Sequence, residues 1–112
     1  MGKVLADLPE KISHKIALLA SGDLSHRLTP DAPAGYEPEA AKIFEHAVED
    51  AIKLISPDSI FKLASRTLNK AGECGLRSLM CMLGLVSEID KSEIKIFSHE
   101  WPFGVGYCNA LK

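Results

Sequence analysis

Two short segments of this sequence combine reactive side chains with residues that interrupt regular structure. Residues 21–26 read SGDLSH and directly follow an apolar run, and residues 71–77 read AGECGLR. The imidazole of His26 could transfer protons near neutral pH, because an unperturbed histidine titrates at about pH 6.5. The carboxylate of Glu73 is a hard oxygen ligand suited to a divalent metal ion. The two segments therefore indicate acid/base chemistry and metal binding.

Each segment also has an ordinary structural interpretation. His26 could bond the backbone of its own loop, with Asp23 and Ser25 as turn and capping residues. Glu73 and Arg77 have the spacing and orientation of a favourable helix ion pair. The neighbouring serine and histidine do not by themselves supply the geometry of a hydrolase, although a hydrolase that uses Ser25 or Asp23 is a third, weaker alternative. The residues alone leave all of these interpretations open.

The cysteine content argues against a disulfide framework. The three cysteines, Cys74, Cys81 and Cys108, are odd in number and none forms a CxxC pair. We expect them to be small buried hydrophobic residues in a reduced compartment, and we expect no zinc site.

The composition is that of an ordinary globular protein, with 46% hydrophobic residues, 25% charged residues and a net charge of -2. The charge gives no basic surface for nucleic acid, and no apolar run is long enough to span a membrane. The first residues lack a signal-peptide pattern. We therefore expect one cytoplasmic domain over residues 1–112, without nucleic-acid or membrane partners.

The apolar pattern predicts an α/β chain that places both segments next to regular elements. Residues 15–20 form a continuous apolar run typical of a strand buried on both faces of a sheet, and loop residues follow it up to 36. In open α/β sheets, ligands bind beyond the carboxyl ends of such strands. The spacing then predicts helices over 38–55, 59–68 and 73–85, with Gly84 as a C-terminal cap, and strands over 93–97 and 104–108.

Four segments in series resemble the LigB-type subunit of class III extradiol ring-cleavage dioxygenases. They are ASGDLSHRL at 20–28, PDAPAGY at 30–36, AGECGLRS at 71–78 and PFGVGY at 102–107. The resemblance extends from about residue 15 to the end of the sequence and covers the C-terminal half of the family's fold. The likeness is greatest to a bacterial and archaeal branch that is also related to the Memo-type proteins.

This resemblance implies a mixed sheet flanked by helices and an iron-dependent reaction of catechol-type rings with O2. In the family, two histidines and one glutamate hold a non-haem Fe(II) and leave positions open for substrate. By resemblance, Glu73 is the glutamate ligand and His26 the acid/base. Asp23 and Ser25 are expected to orient His26, and Tyr107 to line the substrate pocket together with the turn at 102–106.

The family's two iron-binding histidines belong to its N-terminal half, and nothing in residues 1–112 stands in for them. We therefore expect this chain to need an N-terminal half, as a separate partner chain or within a homo-oligomer. The alternative function is that of a non-catalytic, Memo-like binding or assembly module that retains the fold.

Overall fold

The computed structural model describes residues 2–11, 13–89 and 92–112, and the helices in this part of the chain precede a small sheet. None of the described helices is both long enough and apolar enough to cross a membrane. The expected α/β class is confirmed. The elements are α1 (Gly2–Ala6), α2 (Leu8–Lys11), α3 (Pro38–Leu54), α4 (Asp58–Phe61), α5 (Ser65–Ala71), α6 (Leu76–Ile89), β1 (Lys95–Glu100), a 3-10 helix (Pro102–Gly104) and β2 (Tyr107–Leu111).

Helix α3 supplies the centre of the hydrophobic core, as its apolar periodicity predicts. Phe44 and Val48 are fully buried, and they pack in one cluster with Leu83 of α6 and with buried residues of the following segments. Proline at the first helical position begins the helix, and Ile55 ends it in a left-handed conformation with φ 49°. The predicted range of 38–55 is confirmed to within one residue.

The predicted helix at 59–68 is replaced by the two shorter helices α4 and α5. Ala64 has an extended backbone, with φ -65° and ψ 142°, and it separates the two helices. The predicted helix at 73–85 is also displaced, because α6 begins at Leu76 and continues to Ile89. Gly84 therefore lies inside α6, and its prediction as a C-terminal cap is wrong.

Strands β1 and β2 form an antiparallel pair in which His99 is opposite Cys108 and Glu100 is opposite Tyr107. Both strands begin two or three residues later than their sequence patterns predict. The register shifts between Ile96 and Ser98, which is an irregularity of the β-bulge type. Within the described residues, the sheet consists of these two strands.

The strand predicted at residues 15–20 is wrong for the described chain, in which this segment has no regular secondary structure. Its side chains are not buried, since Ile16 is 44% exposed, Leu18 43% and Leu19 87%. The apolar pattern predicted burial on both faces, but a strand forms only when another strand satisfies its backbone N–H and C=O groups. No described element pairs with it here.

The buried face of α3 gives a direct test of this core. We expect Phe44→Ala to lower the free energy of unfolding by about 3–5 kcal/mol, because it removes a fully buried ring and leaves a cavity. Ile43→Ala is the matched control on the same helix, where the side chain is 46% exposed and the loss should be on the order of 1 kcal/mol. Urea unfolding of both variants measures the difference, and equal losses would contradict the assigned core.

Candidate functional site

The loop of residues 21–26 lies directly against the beginning of α6. The N–H of Gly75 donates a hydrogen bond to the carbonyl of Asp23 at 2.8 Å. The two backbones approach so closely that a β-carbon on Gly22 would overlap the α-carbon of Gly75. Glycine at both positions therefore permits a contact between the two segments that the sequence singled out.

Ser25 is completely buried and connects this loop to the end of α5. Its hydroxyl donates a hydrogen bond to the carbonyl of Ala71 at 2.7 Å, and the N–H of His26 donates to the same carbonyl at 3.3 Å. On the other side, the N–H of Gly106 donates to the carbonyl of Ser25 at 2.7 Å. The backbone that carries His26 is thus held between α5 and the connection that precedes β2.

The side chains of Asp23, His26 and Cys74 converge at the surface. The Nε2 atom of His26 lies 3.7 Å from the Oδ2 atom of Asp23 and 3.7 Å from the Sγ atom of Cys74. One potential donor atom from each residue lies within 4.8 Å of the other two. Because both neighbours approach the same ring nitrogen, the arrangement differs from a relay in which a carboxylate and a nucleophile occupy opposite nitrogens of the ring.

The position of Cys74 corrects the expectation that all three cysteines are buried. Cys74 is exposed, whereas Cys81 and Cys108 are half-buried. Since α6 begins only at Leu76, Cys74 lies on the bend before the helix and shares no helical face with Cys81. Cys74 is a potential ligand of the site that sequence reasoning missed, although it directly follows Glu73.

Glu73 caps α6 from outside the helix. Its Oε2 atom accepts a hydrogen bond from the N–H of Leu76 at 2.8 Å, which satisfies one of the free N–H groups at the helix N-terminus. The prediction that Glu73 lies in the first turn is therefore wrong by a few residues. No ion pair between Glu73 and the exposed Arg77 is found among the described residues. One carboxylate oxygen of Glu73 serves as the cap, so the other remains for a ligand.

Tyr107 begins β2 immediately after Gly106 and is 39% exposed. Because side chains alternate along a strand, Tyr107 points away from the face on which Cys108 lies. Tyr107 directly follows Gly106, and the N–H of Gly106 donates a hydrogen bond to the carbonyl of Ser25 at the candidate site.

A second polar cluster, behind the loop, joins α3 to β1. The carboxylate of Glu45 is 3% exposed; its Oε1 atom accepts the N–H of Ser25 at 2.7 Å, and its Oε2 atom lies 2.6 Å from Nε2 of His99. The Nδ1 atom of His99 lies 3.2 Å from the Oε2 atom of Glu49. Gly106 packs so closely against the Glu45 carboxylate that a β-carbon there would overlap it.

The two contacts of His99 favour a protonated ring. A neutral imidazole donates from one nitrogen only, and a carboxylate is only an acceptor, so both contacts are hydrogen bonds when the ring is an imidazolium. Accordingly, the hydrogen bond with Glu45, and to a smaller extent that with Glu49, raises the pKa of His99 above its ordinary value, against the opposing effect of burial. The pKa of Glu49 is lowered, mainly by Lys53 and then by His99.

A sequence signal for this cluster existed in α3. Ala41, Glu45, Val48 and Ile52 follow the spacing of one helical face, and Glu45 is the charged member of that otherwise apolar series. A carboxylate at such a position needs a buried partner. The sequence did not identify that partner, because His99 lies 54 residues away on a strand that lacks any histidine motif.

The solvent-facing donors fit part of a transition-metal site. Imidazole, carboxylate and thiolate are all ligands of divalent first-row metals, and His26, Asp23 and Cys74 offer one of each within a small volume. Glu73, the glutamate expected to bind the metal, is not among the residues whose donor atoms lie within 4.8 Å of one another. The structure thus brings one histidine, one carboxylate and one thiol together at this site.

The His99 cluster predicts a specific dependence of stability on pH. The folded-state pKa of His99 is raised above 6.5, so its stabilising contribution is complete below about pH 6.5 and is lost as pH rises through the raised value. We expect the free energy of unfolding to fall over that interval, and to fall less steeply in His99→Gln. Urea unfolding at a series of pH values measures both slopes; parallel profiles would contradict the assignment.

The chain is similar to a known family and to a known bacterial protein. The sequence model for the catalytic LigB subunit of aromatic ring-opening dioxygenase matches residues 1–109. A protein of Clostridium acetobutylicum, whose name states no activity, is 40% identical over 98 residues, which make up 88% of this chain and 20% of that relative. The chain therefore spans about a fifth of the length of the relative it matches.

Proposed function

The chain belongs to the LigB family, that of the catalytic subunit of aromatic ring-opening dioxygenases, and we propose from this membership that it is part of a non-haem Fe(II) extradiol dioxygenase. The proposed substrates are a catechol-type ring and O2. The observation that carries the proposal is the meeting of residues 21–26 with residues 71–77 at one solvent-facing site. Family membership supports an aromatic substrate and a metal; Fe(II) and the extradiol position of cleavage are our proposal.

In this proposal His26 is the acid/base and Glu73 a metal ligand. Bound iron would supply Lewis-acid and redox chemistry at the site. The Nε2 atom of His26 lies 3.7 Å from the Oδ2 atom of Asp23 at the surface, where it can accept a proton from a substrate hydroxyl and later return it. Asp23 orients the ring from the solvent side, and Ser25 fixes its backbone from the buried side. Tyr107 would line the substrate pocket.

The remaining protein ligands are proposed to come from another polypeptide region. The family supplies two histidine ligands from its N-terminal half, and residues 1–112 offer no counterpart. The match covers 20% of the relative's length, and the apolar segment at 15–20 is exposed. Both observations support a further polypeptide region that packs against this chain. The full site would then form with a polypeptide region that carries the two histidines, whereas self-association of residues 1–112 would cover the apolar segment without adding those ligands.

Anaerobic Fe(II) uptake, followed by addition of a catechol and air, tests the function. We expect the isolated chain to bind Fe(II) weakly and to form no yellow ring-opened product, because two ligands are missing. Adding a chain that carries the paired histidines, such as the product of a neighbouring reading frame, should give both tight Fe(II) binding and the ring-opened product. Product from the isolated chain would contradict the need for a partner. No iron and no product with the partner would contradict the dioxygenase and favour the Memo-like binding module.

Two variants of the reconstituted protein separate the proposed roles. Glu73→Gln should abolish iron uptake, because it removes the carboxylate charge, while His26→Ala should retain iron and slow turnover by about 100-fold or more. His46→Ala is the control, since His46 is an exposed residue of α3 outside the site. If Glu73 serves only as a helix cap, Glu73→Gln will leave iron uptake unchanged, because its amide oxygen can still accept from the N–H of Leu76. Glu73→Ala, which removes the acceptor, will then cost about 0.5–2 kcal/mol of stability.

The exposed segment at 15–20 predicts association. We expect sedimentation velocity at high concentration to give a mass above that of the monomer, and Leu19→Glu to reduce it by placing a charge on an apolar contact. Ile43→Glu, on an exposed part of α3, is the control. A clean monomer at high concentration would contradict self-association through this segment.

A further inference from the structure

The carboxylate of Glu45 occupies an unusual place for an acidic group. It is 3% exposed on the apolar side of α3, beside the fully buried Phe44. Both of its oxygens are engaged, one by the N–H of Ser25 and one by the ring of His99. A buried charge is costly unless it is paired and hydrogen-bonded, so these two partners stabilise the carboxylate in this position.

Stability alone does not account for the Glu45–His99 pair. Replacement of a buried ion pair by apolar residues of similar volume is often neutral or stabilising. The neighbouring positions of the same helical face, Ala41, Val48 and Ile52, are already apolar. What the carboxylate supplies and an apolar side chain does not is an acceptor for the amide of Ser25.

That amide is one of the points at which the backbone next to His26 is fixed. The hydroxyl of Ser25 and the N–H of His26 bond the carbonyl of Ala71, and the carbonyl of Ser25 bonds Gly106. Glu45 holds the remaining backbone group of Ser25, which follows Asp23 by two residues. A shift of the Glu45 carboxylate would therefore move the backbone of Ser25, which lies between Asp23 and His26. The distance between the side chains of Asp23 and His26 would then change.

His99 keeps the Glu45 carboxylate in place. It donates from Nε2 to Glu45 and from Nδ1 to Glu49, while the edge of its ring meets Trp101 with centroids 6.0 Å apart. The absence of a β-carbon at Gly106 leaves the space that the carboxylate fills. The ring thus spans two carboxylates on successive turns of α3, and only one of them contacts Ser25.

We infer that Glu45 and His99 are positioning residues that set the place of His26 relative to Asp23 and Cys74, an inference that rests on the proposed acid/base role of His26. Neither residue is among the three side chains whose donor atoms converge at the surface. They act through the Ser25 amide.

Exchange of the Ser25 amide, followed by NMR, tests this inference. In Glu45→Leu, which keeps the volume and removes the acceptor, we expect Ser25 to exchange at least about tenfold faster, because a charge-assisted hydrogen bond is lost. The nuclear Overhauser contact between the His26 ring and the β-protons of Cys74 should weaken in the same variant. Glu45→Gln, which keeps an acceptor oxygen, should largely restore both signals.

Glu49→Gln is the matched control, because Glu49 bonds the same ring without reaching Ser25. It should leave the Ser25 exchange rate and the contact between His26 and Cys74 near their native values. The Gly75 amide, bonded to the carbonyl of Asp23, reports whether the loop stays docked on α6. Should Glu45→Leu not fold, His99→Asn, whose shorter side chain does not span to Glu45, is expected to produce the same two losses.

The inference is overturned if folded Glu45→Leu, or His99→Asn in its place, changes only the free energy of unfolding and leaves both the Ser25 exchange and the His26 contact as they were. Neither measurement uses iron, catechol or turnover. Failure of the dioxygenase assay would therefore leave this result intact, and failure of the NMR experiment would leave the proposed reaction untouched.

Discussion

The site depends on the burial of Ser25 with all of its hydrogen-bonding groups paired. Its N–H donates to the carboxylate of Glu45, its hydroxyl donates to the carbonyl of Ala71, and its carbonyl accepts the N–H of Gly106. A buried polar group left without a partner costs about 1–3 kcal/mol, so each of the three has to remain in place for the loop to stay buried. Since these partners belong to α3, the end of α5 and the connection before β2, one serine joins three distant parts of the chain.

This arrangement explains how an exposed site can still be well defined. A substrate or metal can reach the surface side chains of Asp23, His26 and Cys74. The backbone of the loop is nevertheless held in place by hydrogen bonds on its buried side. Reactive groups keep their geometry when the shell behind them is packed and hydrogen-bonded. The capping bond of Glu73 acts in the same way on the second segment, because it ties that carboxylate to the start of α6.

Local pattern was enough to predict α3, the family resemblance placed the two reactive segments at one site, and tertiary contact decided the rest. The apolar spacing of α3 is strong, so its range was predicted closely. The start of α6 was missed because Gly75 is held by the carbonyl of Asp23, a constraint from another part of the chain. The pairing of Glu45 with His99 was missed for the same reason, since a sequence pattern does not specify which strand lies over which helix.

The absence of the predicted strand at residues 15–20 is also explained by tertiary contact, because a strand needs a neighbour that pairs with its backbone groups. An apolar run of this kind is stable as a strand only beside another strand, and an unpaired strand edge recruits one. Leu18 and Leu19 also border a hollow of about 260 Å³ that reaches Leu83 and the end of β2. A strand added beside 15–20 would pair the backbone of this segment and cover its exposed leucines.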